Sequence, residues 1–175
     1  MPIQRQGWEL LVTRLREDRR GTNRRTVGRY QVYHDGAAIQ ALSGMCAETR
    51  GPGDNSEADN NRRIEAGRYP LRTHSGPHYM TLRYQQNGKL PGFEVGKVTP
   101  RYGILVHPGR GFKASVGCFN PAKQLATTAS VIDPADSLPR VVAMIEDMKA
   151  LLAASFPKQN DQAIPNAWIV VDGEP

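Results

Sequence analysis

Seventeen glycines and thirteen prolines are spread through the 175 residues, and they constrain the fold more than any other feature. Each one interrupts regular structure, glycine by its conformational freedom and proline by its missing N–H. Such a chain is built from short segments joined by turns. That favours a β-rich architecture over a helical bundle. At 19.3 kDa the chain is the size of one domain and is long enough to bury a single core, so residues 1–175 are expected to form one domain.

The segments follow from this punctuation. Trp8 to Leu15 alternates loosely and reads as a first strand, followed by a basic turn through Arg19 to Arg25; residues 1–26 are thus expected to be a strand plus a basic arm. Gly28 to Tyr33 and Ala38 to Met45 flank His34-Asp35-Gly36, the Asp-Gly signature of a hairpin. The polar stretch from Gly51 to Asn61 reads as an exposed loop, Arg63 to Leu71 as a short strand around a glycine, and Tyr79 to Tyr84 as another strand. The apolar run Tyr102 to Val106, bounded by turn residues, predicts a buried central strand. One helix is expected around 137–155. Asp136 or Ser137 caps it, Pro139 lies in its first turn, and Val141, Ile145, Met148 and Leu152 recur on one face. Ala167 to Val171 reads as a last strand. No run of residues approaches the ~20 apolar positions a membrane helix needs, and the opening residues lack the apolar core of a secretory signal.

The net charge is +6, and Arg14, Arg16, Arg19, Arg20, Arg24, Arg25 and Arg29 cluster early. This pattern reads first as a solvated face and second as a surface for a polyanion. No aromatic series interleaves with the arginines, so nucleic acid is not an expected partner.

The chemistry is concentrated between His107 and Cys118. A thiol reacts as thiolate and needs a neighbour that takes its proton. His107 stands at the end of the expected core strand, and a short loop returns the chain to Cys118. Gly117 lets substrate approach beside the nucleophile, and the backbone N–H groups of Gly117 and Cys118 are candidate donors to an oxyanion. A nucleophile of this kind is expected to alkylate faster than Cys46, with a pKa below ~8. Two cysteines are too few for a disulfide framework, although one bridge between Cys46 and Cys118 is chemically available.

The run Ser115-Val116-Gly117-Cys118-Phe119-Asn120 resembles the catalytic motif of the L,D-transpeptidase (YkuD-type) superfamily, in which a histidine and a loop precede Ser/Thr-His-Gly-Cys-hydrophobic-Asn/Arg. His107 falls on the family's base, Ser115 on its Ser/Thr, Gly117 on its glycine, Cys118 on its nucleophile and Asn120 on the polar position two residues on. Arg63 to Leu71 resembles the element that precedes the catalytic strand. Val116 replaces the motif's second histidine and the loop is short, which is closer to a divergent branch of phage- or secretion-associated proteins. The resemblance spans about residues 28 to 121. It implies a mainly β sandwich or barrel, acyl transfer or hydrolysis on peptidoglycan stem peptides, and no cofactor. Ser115 would orient His107 or serve the oxyanion site, and Asn120 would brace the loop. Without a signal sequence, the expected setting is synthesis in the cytoplasm and action in the periplasm after effector-type export. An antibacterial toxin of that kind needs an immunity partner in the producing cell.

Other candidates carry less. His74 and His78 are four apart, but Gly76-Pro77 prevents the helical spacing a zinc site would use. His78 or Tyr79 is instead expected to line the substrate cleft from a neighbouring strand. Glu48 is a weaker site candidate, and Cys46 reads as a core residue. The alternative function is a non-catalytic binding module that holds a polyanion on its basic face.

Overall fold

A computed structural model describes residues 2–175. Its elements are β1 (Trp8–Arg20), β2 (Asn23–His34), β3 (Ala37–Thr49), β4 (Gly67–Arg72), β5 (Tyr79–Met80), β6 (Leu90–Pro91), β7 (Phe93–Val95), β8 (Leu105–Val106), β9 (Asn120–Ala122), α1 (Pro134–Leu152) and β10 (Ala163–Asp172). Eight of the strands form one sheet in the order β8-β7-β4-β10-β1-β2-β3-β9. Its two end strands approach each other through a parallel bridge between Val106 and Phe119, so the sheet nearly closes into a barrel. The fold is mainly β with one C-terminal helix. Among the described residues, no helix is long and apolar enough to cross a membrane.

The long β1–β2–β3 meander dominates the sheet. Asp35 and Gly36 both adopt positive φ, 47° and 89°, as a two-residue hairpin turn requires. The basic segment is not a turn. β1 runs to Arg20, and Gly21-Thr22 alone reverse the chain into β2. β10 lies parallel to β1 and antiparallel to β4, so the C-terminal segment is central to the sheet. Trp8, Leu10 and Val12 of β1 point inward with Tyr30, Val32, Ile169 and Val171. Helix α1 presses Val141, Met144, Ile145 and Met148 into the same core.

Several expected boundaries shift, each for a local reason. Helix α1 starts at Pro134 rather than 137, because Asp133 is the cap and accepts the Ala135 N–H. Pro139 therefore sits inside the helix, not in its first turn. Only Tyr79–Met80 of the expected 79–84 strand is extended, since Gln85–Asn87 form a 3₁₀ turn just beyond it. The strand in Arg63–Leu71 begins at Gly67. Tyr102–Val106 is extended only at Leu105–Val106, and that strand is buried but ends the sheet rather than lying in its middle.

The early arginines are divided: Arg19, Arg20, Arg24 and Arg29 are exposed, as a solvated face requires, whereas Arg14 and Arg25 are buried. Arg14 grips Glu48 with two hydrogen bonds of 2.9 and 2.8 Å and also reaches the Ile64 carbonyl and Glu174. Arg25 pairs with Asp18 and covers the Phe112 ring at 4.3 Å. Glu48, weighed above as a site residue, is thus the partner of a structural ion pair. Both cysteines are free, with Cys46 in the core.

Candidate active site

Cys118 and His107 flank the bridge that brings the sheet's ends together. The His107 N–H donates to the Phe119 carbonyl at 3.1 Å, and the Phe119 N–H donates to the Leu105 carbonyl at 2.8 Å. This register sets Leu105 beside Cys118 and His107 beside Asn120. Val106 and Phe119 point into the core, so strand alternation turns Cys118 and His107 to the other face. The sequence produces this arrangement with two apolar anchors, each next to a polar residue that cannot follow it inward.

The His107 side chain is tightly held. His107 Nδ1 lies 2.8 Å from the Pro108 carbonyl, which fixes the Nδ1–H tautomer and makes Nε2 the acceptor nitrogen of the ring. Tyr79 stacks on the imidazole, with ring centroids 4.1 Å apart. Asn120 Nδ2 donates to the His107 carbonyl at 3.1 Å and lies nearly equidistant from the two ring nitrogens, at 3.3 and 3.4 Å. It therefore packs against the ring and braces the imidazole. The loop after His107 is pinned from the helix. Ser137 accepts the Gly109 N–H at 2.9 Å and donates to the Pro121 carbonyl at 2.5 Å. A side chain at Gly109 would meet Asn120 at 2.7 Å, so only glycine permits this approach.

The half-buried Cys118 Sγ lies 3.3 Å from the Leu105 N–H and 3.6 Å from the Gly103 carbonyl. No hydrogen bond joins the thiol to the imidazole in this resting arrangement. Ser115 donates to the Cys118 carbonyl at 3.0 Å. It braces the Cys118 backbone and does not touch His107. Neither the Gly117 nor the Cys118 N–H donates to a protein acceptor among the described residues, which leaves both available to an incoming oxyanion.

Burial dominates the electrostatics. It lowers His107 to about 4, against the hydrogen bond to Pro108. It raises Cys118 to about 11, against the Leu105 N–H and the charge of Arg101. The expectation of a thiol pKa below 8 is thus overturned. At neutral pH both groups are uncharged, so any reaction through the thiol would require a base to take its proton. The rate of Cys118 alkylation by iodoacetamide should therefore climb about tenfold per pH unit from pH 7 to 10. A plateau below pH 8, followed by mass spectrometry, would contradict this. Cys46 is more deeply buried, and its thiol is raised well above the usual range by burial first and then by Glu48, so it should label more slowly at every pH.

Two clefts flank the pair. On the His107 side, His78, Tyr79 and Arg110 line a cleft of ≈ 380 Å³. On the other side of Cys118, a cleft of ≈ 80 Å³ is bounded by Asp59, Arg101, Tyr102 and Val116. The roomier concavity of ≈ 480 Å³ between Ser155 and Pro165 contains no cysteine or histidine. His74 lies away from the site, its Nδ1 3.5 Å from the Glu94 carboxylate. Among the described residues, no three His, Cys, Asp or Glu side chains converge to hold a metal ion. Sequence reasoning missed Arg101 and the Gly103, Leu105 and Pro108 backbone contacts, because each depends on how distant segments meet. Only the glycine at 117 hints at Arg101, since a side chain there would strike the guanidinium at 2.7 Å.

Comparison of the chain with protein-family models, with curated proteins and with solved structures finds no match.

Proposed function

We propose that the protein is a cysteine-dependent acyl-transfer enzyme acting on peptidoglycan stem peptides. One observation carries the reading. A free thiol and an imidazole whose Nε2 lies 3.4 Å from the Asn120 amide share one face of the same two-strand seam, beside two unused backbone N–H groups. Substrate binding brings a carbonyl bonded to a D-residue against Cys118. His107 Nε2 takes the thiol proton as the C–S bond forms, and the charge on the carbonyl oxygen falls to the Gly117 and Cys118 N–H groups. Collapse of the intermediate breaks the C–N bond, and the leaving amine takes the proton from Nε2. Water or a second amine then attacks the thioester, gives its proton to His107 and restores the thiolate, which is reprotonated. Water gives a carboxypeptidase and an amine gives a transpeptidase.

The test is incubation with a disaccharide tetrapeptide. Wild type should release or exchange the terminal D-alanine, and Cys118→Ala should leave the muropeptide intact. Unchanged muropeptide with folded, reduced wild type would remove the reading.

A second reading, a polyanion-binding module, is favoured by the hairpin tip. Arg19 lies directly opposite Arg24, with Arg20 alongside. None of the three forms an ion pair among the described residues, and like charges placed this way are destabilising until an anion joins them.

A further inference from the structure

Beyond the Asp18–Arg25 pair, the end of the sheet gathers arginines. Every residue from Arg19 to Arg24 is exposed, and Arg19 faces Arg24 across the β1–β2 ladder. On the other side of β2, Arg25 stands opposite Thr49. One more step in that register sets Arg50, also exposed, beside Arg24. The three arginines thus form a row across neighbouring strands, at the ~4.8 Å interval of a sheet, with Arg20 next to it. The acidic groups at this end are engaged elsewhere. Glu17, two positions before Arg19, accepts from Arg63 and from the Gly51 N–H. Asp18 is held by Arg16 and Arg25. No ion pair among the described residues includes Arg19, Arg20, Arg24 or Arg50. The base of the row is fixed, because Arg25 also reaches the Phe112 and Ser130 carbonyls at 3.1 and 2.9 Å. Like charges are therefore held side by side before any ligand arrives, which costs stability and lowers the ordering needed on binding.

We infer that this row binds a flexible phosphodiester polymer that carries no bases, gripped through successive phosphates. Exposure sets the valence. A single exposed ion pair is worth little, so only a ligand that engages several arginines together is retained. The residue type sets the anion. Arginine presents a planar fork and a weakly hydrated charge, which match the two free oxygens of a phosphodiester. The surroundings exclude bases. Residues 19–24 include no aromatic side chain, and the nearby Phe112 ring is covered by Arg25 at 4.3 Å, so no stacking platform stands beside the row. A row three strands wide is also too broad to enter a minor groove of about 6 Å. This identification rests on the polyanion reading of the hairpin tip and is independent of Cys118.

A labelled poly(glycerol phosphate) oligomer tests it, with binding followed by fluorescence anisotropy as salt is varied. With about three to four phosphates engaged, log K should fall with log salt at a slope of about −2 to −3. Arg19→Gln, Arg24→Gln and Arg50→Gln should each make the slope shallower by about 0.7 and weaken binding about three- to tenfold at low salt. Arg29→Gln removes an exposed charge from the same strand outside the row, and should weaken binding less than about twofold. Arg19→Lys combined with Arg24→Lys keeps the charge and loses the forks, and should weaken binding about fivefold. Equal losses at Arg29 and in the row would overturn the row, since net charge would then account for binding. Equal or tighter binding of poly-glutamate of the same charge would keep the polyanion reading and overturn the phosphodiester. Tighter binding of duplex DNA, per phosphate, would overturn the flexible polymer in favour of nucleic acid. Failure to bind any of the three would remove the polyanion reading together with the inference.

Discussion

His107→Gln will slow acylation of Cys118 by about 10²- to 10⁴-fold at neutral pH, the usual contribution of a positioned base. The size of the effect follows from burial. With the thiol raised to about 11, roughly one molecule in 10⁴ is thiolate at pH 7 without help. The pH profiles give the sharper comparison. His107 is lowered to about 4, so wild-type activity should lose its acid limb near that value, not near the 6.5 of an ordinary histidine. Between about pH 5 and 9 the wild-type profile should be flat. The variant's rate should instead rise with pH as thiolate accumulates. An acid limb at pH 6 to 7 in wild type would show that the imidazole is not desolvated as described.

The largest stability effect is expected at Arg14. This side chain joins β1 to β3, to the Ile64 carbonyl and to the chain's end at Gly173 and Glu174. Arg14→Ala removes these bonds and leaves the Glu48 carboxylate, 3% exposed, buried without a cation. Breaking a buried pair from one side costs about 3–5 kcal/mol, a large share of the roughly 5–15 kcal/mol that holds a domain folded. Arg14→Met combined with Glu48→Leu should recover most of that loss, because the cost lies in the orphaned charge. Lys149→Ala, which breaks the exposed pair with Glu146 on α1, should change stability by less than about 0.5 kcal/mol. Urea unfolding distinguishes these outcomes. A loss at Arg14 no larger than at Lys149 would mean that the buried network is not structural.

Local signals made much of the fold legible. Asp35-Gly36 marks its hairpin because few pairs tolerate two positive φ values. The apolar run ending at Val106 leads to His107, and Cys118 is the exposed-side cysteine next to a core phenylalanine. The face of α1 was readable from Val141, Ile145 and Met148, but its start was not. Asp133-Pro134 carried the cap signal, and Pro139 drew the expected start to 137, three residues too late. What the sequence hid was pairing at a distance. An arginine looks the same whether it meets solvent or Glu48, 34 positions away. Arg14 and Arg25 therefore read as surface, and Glu48 as a weaker site candidate. The seam between β8 and β9 was hidden for the same reason. Two strands of two and three residues carry little periodicity of their own, and their meeting depends on the curvature of the whole sheet. Arg101 became visible only when that seam placed it against Gly117.

The central claim is that Cys118 forms a covalent acyl intermediate with His107 as its base. The most direct measurement is the intact mass of the protein after acid-quenched incubation with the disaccharide tetrapeptide, followed by peptide mapping. Wild type should carry an adduct equal to the muropeptide less its terminal D-alanine, located on Cys118 and absent from Cys118→Ala. Unmodified Cys118 in folded, reduced protein, or an adduct mapped to another residue, would contradict the account.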